Sequence, residues 1–174
     1  MKKETPRVRP RLAIPARSTR PTRSTATAEA FASGGKPGYG SMMPIIGHGI
    51  DLVECDRIED MLRRHGDRFM ARVLTNQERD RAARFKNPVQ FVAGRWAAKE
   101  AILKMIGTGW RGQISWTDME ILPDDLGRPV VKLGGETARR ARELGIETVL
   151  LSISHTRGHA TASAIGVGPQ KPIS

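Results

Sequence analysis

Hydrophobic and polar positions divide this chain of 174 residues into a patternless start and a patterned remainder. Residues 1–42 show no hydrophobic period. The pattern begins with PIIGHGIDLV (44–53), apolar and β-branched, which predicts a strand whose glycines let another backbone come close. In DRIEDMLRR (56–64), Ile58, Met61 and Leu62 share one helical face; His65 and Gly66 break that helix, and DRFMARVL resumes it briefly. TNQE (75–78) is a capping box opening a helix to about Arg84. Asn87 and Pro88 then start the longest periodic stretch, NPVQFVAGRWAAKEAILKMIGTG (87–109). Its Phe91, Ala98, Ile102 and Met105 fall at helical spacing, predicting one buried side, and Gly107, Thr108 and Gly109 stop it.

Beyond it, 114–122 predicts a strand carrying Trp116 and Ile121, PDDLGR a turn, and PVVKL (129–133) a second strand of the same hairpin. A helix over 135–144 follows, ended by Gly145. Two last strands flank a turn at 156–158; Leu151 and Ile153 point one way, Ser152 and Ser154 the other.

Composition narrows the classes. Hydrophobic residues are 39% and aromatics 5%, so the core is mainly aliphatic. Cys55 is the single cysteine, which excludes an internal disulfide framework and a cysteine-based zinc site and fits a reducing compartment. No apolar run has the length of a membrane-spanning helix. The net charge of +11 first suggests nucleic acid, but residues 1–42 hold nine basic residues against two acidic ones, leaving +4 on the rest. This division predicts a disordered basic tail (1–42) without chemistry, a folded domain (43–168) and a short tail (169–174). The basic tail has three readings: an organelle transit peptide, an arm for an acidic partner, or an over-long start ahead of Met42 and Met43.

The longest helix carries Arg95, Lys99, Glu100 and Lys104 on an apolar background. Cations for phosphate oxygens beside a carboxylate for Mg²⁺ suit a polyphosphate ligand, although Glu100 and Lys104 also have the spacing of an ordinary surface ion pair. Asp51 within an apolar strand is buried with a partner, faces a ligand cleft, or caps the next helix. Arg57, Arg63, Arg64, Arg68 and Arg72 with Phe69 form a basic patch with an apolar centre, suited to an acidic amphipathic helix. The alternative is a solvated face with Phe69 in the core. His155 at a strand end is a phosphate donor, a proton carrier or a structural residue. His48, His65 and His159 read as structural or solvated.

Taken together, GHGIDLVECDRI (47–58), FVAGRWAAKEAILKMIGTG (91–109), GRP (127–129) and SISH (152–155) resemble the holo-acyl-carrier-protein synthases of the 4′-phosphopantetheinyl transferase family. The resemblance runs from about Ile45 to Gly166. It implies a small α+β domain, an antiparallel sheet against the long helix, and homotrimers with active sites between neighbours. It implies transfer of 4′-phosphopantetheine from coenzyme A to a serine of apo-acyl carrier protein, releasing adenosine 3′,5′-bisphosphate, in support of fatty-acid biosynthesis. By the same resemblance Asp51 and Glu100 hold Mg²⁺, and Glu100, directly or through a metal-bound water, deprotonates the serine. Arg95, Lys99 and Lys104 meet phosphates, Arg95 at the 3′-phosphate or adenine end, while Gly107, Thr108 and Gly109 bring backbone N–H groups to the nucleotide. His155 touches phosphate or the metal's water shell, and Pro129 lines the adenine pocket. The carrier protein docks on Arg57, Arg64, Arg68, Phe69 and Arg72. The compartment expected is the cytoplasm, or an organelle if residues 1–42 are a transit peptide, with no membrane partner. His48 departs from the motif, and its side chain is expected to point away from the metal.

Rival classes fit less of the chain. A nucleic-acid binder lacks stacking aromatics and a binding motif in the folded part. An ATPase lacks the G-x-x-x-x-G-K-[ST] loop. A pure docking module has no use for Asp51 and Glu100.

Overall fold

The computed structural model describes residues 43–109 and 113–169. The basic segment 1–42 and residues 170–174 lie outside it. Strand β1 (Ile45–Glu54) leads directly into helix α1 (Cys55–Val73), followed by α2 (Asn76–Ala82) and α3 (Val89–Ile106). A one-turn 3-10 helix (Trp116–Asp118) precedes β2 (Met119–Pro123) and β3 (Pro129–Leu133); then come α4 (Gly135–Glu143), β4 (Thr148–His155) and β5 (His159–Val167).

Two antiparallel sheets result: a three-stranded one in the order β1-β5-β4 and the β2-β3 hairpin. Helix α3 packs on the larger sheet through β1 and β5, as its small residues Ala93, Ala97, Ala98 and Ala101, all fully buried, permit. The glycines of β1 make the contact possible. A Cβ on Gly49 would stand 2.1 Å from the carbonyl oxygen of Ala101, and one on Gly47 2.3 Å from that of Met105.

Several expectations hold and several shift. Helix α1 is kinked at Gly66 (φ 47°, ψ −125°), where the sequence expects a break. The α2 capping box forms, with Thr75 and Glu78 exchanging both hydrogen bonds. Helix α3 starts at Val89, whose N–H donates to Asn87 Oδ1 at 3.0 Å, and ends on Gly107 at φ 76°. It is buried on more than one side: twelve of its eighteen residues are buried, because α1 and the 3-10 turn cover the face away from the sheet. The strand expected from 114 begins instead at Met119. Ser115 and Asp118 close a capping box that winds the intervening residues into the 3-10 turn and drives Trp116 inward.

Phe69 is corrected as well. It is 5% exposed and stacks on Trp96 at 5.8 Å between centroids, and Trp96 in turn meets Trp116 at 4.5 Å. These rings join α1, α3 and the 3-10 turn, so Phe69 belongs to the core and not to a docking surface.

Candidate active site

Asp51 sits on the β1 face that carries Gly49 and Val53 toward α3, and its backbone carbonyl accepts from Thr161 Oγ1 at 2.8 Å. From α3, the Lys104 ammonium reaches Asp51 Oδ1 at 2.8 Å and the Ile50 carbonyl at 3.1 Å. Glu100, one turn earlier and half-buried, completes the group. Burial and the neighbouring Asp51 carboxylate push the Glu100 carboxyl above its ordinary range, while Lys104 and Arg57 pull it back. Two carboxylates and a lysine thus converge where β1 crosses α3. The Arg57 charge, at the start of α1, reaches the same place.

This donor set fits magnesium, which takes one or two carboxylates and fills its remaining positions with phosphate and water. Among the described residues no group of three or more His, Cys, Asp or Glu is placed to hold a metal. Asp51 and Glu100 would be the residues to hold such an ion.

A second cluster forms at the other end of α3. Arg95, Phe91 and Gly94 of α3, Pro129 of β3, and Ile153 and His155 of β4 line a cleft of about 210 Å³. The Arg95 guanidinium lies 4.6 Å over the Phe91 ring. Three of the residues expected at the nucleotide thus share one wall. They are not beside the carboxylates: β5 separates Asp51 on β1 from His155 on β4, two strand spacings or ~10 Å apart. The twelve residue steps from Arg95 to Gly107 span ~18 Å of helix axis.

Lys99 is not at the site. It is fully buried, and its ammonium donates to Glu78 Oε2 (2.6 Å) and to the carbonyls of Val73 (2.7 Å) and Trp116 (3.1 Å). Three acceptors require three N–H bonds, so the group is a charged ammonium with no proton left for a phosphate. Gly107 needs a similar correction, since its N–H is spent on the Leu103 and Lys104 carbonyls as the helix cap. Thr108 and Gly109 (φ 55°) continue the turn, with Thr108 Oγ1 buried and lacking a hydrogen-bond partner among the described residues. Arg57, Arg64, Arg68 and Arg72 are all exposed on α1. Met61 is half-buried in the groove beside Arg57 and Arg64. His48 lies on the sheet face opposite Asp51, with Nε2 3.0 Å from Ser163 Oγ, as expected.

Sequence reasoning missed Glu78 as a partner of Lys99 and Arg95. Its capping-box position explains the residue locally and hides its second use. Met61 was legible only as one of the apolar positions of the α1 face.

Comparison with known proteins gives the family of the chain. The model of the family described as the 4′-phosphopantetheinyl transferase superfamily matches residues 47–162. A holo-[acyl-carrier-protein] synthase of Natranaerobius thermophilus is 43% identical over 121 residues, covering 70% of this chain and 96% of that protein. The crystal structure of a holo-(acyl-carrier-protein) synthase from Bacillus anthracis in complex with CoA (3′,5′-ADP) superposes with a TM-score of 0.61 at 40% identity, covering 74% of this chain and all of that one. The acyl carrier protein synthase of Plasmodium yoelii with ADP bound gives a TM-score of 0.68 at 35% identity, covering 74% and 98%. The chain belongs to the 4′-phosphopantetheinyl transferase superfamily, among its holo-acyl-carrier-protein synthases.

Proposed function

We propose that this enzyme transfers 4′-phosphopantetheine from coenzyme A to a serine of apo-acyl carrier protein in a Mg²⁺-dependent reaction, releasing adenosine 3′,5′-bisphosphate. The observation that carries the proposal is the convergence of Asp51, Glu100 and Lys104 where β1 meets α3. Asp51 and Glu100 would hold the ion, which when bound supplies positive charge to the pyrophosphate. Lys104 lies close enough to pair with the same pyrophosphate, at the cost of its contact with Asp51. Glu100, reached directly or through water, is the proton acceptor for the serine hydroxyl, and its raised pKa brings it nearer to that task. Serine oxygen attacks the β-phosphorus of the coenzyme, the bond to the bridging oxygen breaks, and the bisphosphate leaves as an anion.

Arg95, Pro129 and His155 form the adenine and 3′-phosphate end of the site. Their separation from the carboxylates supports a site assembled from two chains, as in a homotrimer. So does the outer face of the three-stranded sheet, where Ile50 (59%), Leu52 (65%) and Leu150 (53%) are exposed around His48 and Ser163. Apolar side chains grouped in this way suit contact with neighbouring copies. The carrier protein docks on Arg57, Arg64, Arg68 and Arg72, with Met61 supplying the apolar contact instead of Phe69. The reaction is placed in the cytoplasm, and residues 1–42 take no part in it.

The test follows the nucleotide product. Incubation with coenzyme A, Mg²⁺ and apo-acyl carrier protein should release adenosine 3′,5′-bisphosphate, measured by chromatography. Release without carrier protein, or none with any carrier protein, would contradict the proposal.

A further inference from the structure

Glu78 is fully buried at the junction of four segments. Its Oε2 accepts the Thr75 N–H (2.8 Å) and the Lys99 ammonium (2.6 Å), and its Oε1 accepts the Ile121 N–H (3.1 Å). Through Lys99 the same pair reaches Val73 at the end of α1 and Trp116 in the 3-10 turn. Neither charge meets solvent, so neither can bind substrate or exchange its proton with it.

A buried ion pair is seldom needed for stability alone, because packed apolar side chains of similar volume often serve as well. What a charge adds is a field at its neighbour. That neighbour is Arg95, whose Nε lies 3.8 Å from Glu78 Oε1. Arg95 is 9% exposed, and burial pulls its guanidinium down while Glu78 opposes that and Arg81 adds repulsion. The Arg95 Nε makes no hydrogen bond. Its aim is therefore set by the Glu78 charge on one side and the Phe91 ring on the other.

We propose that Glu78, balanced by Lys99, is a positioning residue that fixes the Arg95 guanidinium toward the cleft it shares with Pro129 and His155. This inference rests on the reading of Arg95 as the contact for the phosphate of the nucleotide end. Removing the Glu78 charge leaves Arg95 free to change rotamer, which weakens binding of that phosphate and leaves the reacting centre in place.

The test compares coenzyme A with dephospho-coenzyme A, which lacks the 3′-phosphate, as co-substrates. Glu78→Gln alone strands the Lys99 ammonium in the core, so the informative variant is Glu78→Gln combined with Lys99→Met, its fold checked by circular dichroism and melting. We expect KM for coenzyme A to rise about tenfold with kcat changed less than about twofold, the pattern of lost uniform binding. The preference for coenzyme A over dephospho-coenzyme A should fall to that of Arg95→Ala. Glu78→Asp, which keeps the charge but withdraws it by one methylene, should give an intermediate KM. A wild-type preference in the double variant, with the preference lost in Arg95→Ala, would make the network scaffold only and overturn the inference. A loss in Glu78→Asp as complete as in the double variant would also overturn it, since the charge would not be the cause. A preference kept in Arg95→Ala would instead remove the reading of Arg95 on which the inference stands.

Discussion

Burial and the Asp51 carboxylate both work against the charged form of Glu100. A carboxyl with a raised pKa binds its proton more tightly in the folded chain than in the unfolded one. Its contribution therefore favours folding at low pH and is lost as pH rises from the ordinary carboxylate value through the raised one. Ionised Glu100 is therefore a burden on the fold. Glu100→Gln should accordingly raise the melting temperature at pH 7.5 by about 1–3 °C, with the gain shrinking toward pH 4. A melting temperature lowered at pH 7.5 would mean that Glu100 is stabilised by its neighbours and not strained by them. Activity should fall on acidification, because protonated Glu100 can neither hold a cation nor accept the serine proton. A pH–rate profile of kcat checks this. The spacing showed that Glu100 stands four residues before Lys104, and the family resemblance set Asp51 with Glu100; the Lys104–Asp51 contact, 53 residues apart in sequence, depends on the packing of β1 on α3. Lys99 was misplaced for a related reason. Its motif looks the same whether the side chain turns outward to phosphate or inward to Glu78, and only the position of α2 decides.

At the scale of elements, the site depends on how closely β1 and α3 approach. Gly49 lets the Ala101 carbonyl come within 2.1 Å of where a Cβ would be, so Gly49→Ala must push the helix from the strand. We expect a loss of about 2–4 kcal/mol of stability by chemical denaturation, as for overpacking at backbone rather than at a yielding side chain. A loss below about 0.5 kcal/mol would mean that the two elements are not in firm contact. Most elements were legible because each carries its own punctuation: the Thr75 capping box, the Asn87-Pro88 start, the Gly107 stop and the alternation in β4. The segment 114–118 was not, because Ile114 and Trp116 alternate like a strand while Ser115 and Asp118 close a turn. Phe69 was drawn to the docking face by the resemblance, although its own segment also fitted a place in the core; its contact, Trp96, lies on another helix.

Across the whole molecule, the Asp51–Glu100–Lys104 cluster and the cleft of Arg95, Pro129 and His155 lie apart, and the outer face of the three-stranded sheet exposes apolar side chains. If copies meet on that face, Leu52→Asp should yield monomers by sedimentation and lose at least about 90% of activity, though Leu52 points away from Asp51. Wild-type activity in a monomeric Leu52→Asp variant would place the complete site within a single chain. Covalent transfer that depends on Asp51 and Glu100 is read from the intact mass of the carrier protein. Apo-acyl carrier protein incubated with the enzyme, coenzyme A and Mg²⁺ should gain the mass of one phosphopantetheine. The gain should disappear with EDTA and with Glu100→Gln, whose folded state the melting experiment establishes independently. A full gain with Glu100→Gln, or no gain with the wild-type enzyme and several carrier proteins, would contradict the account.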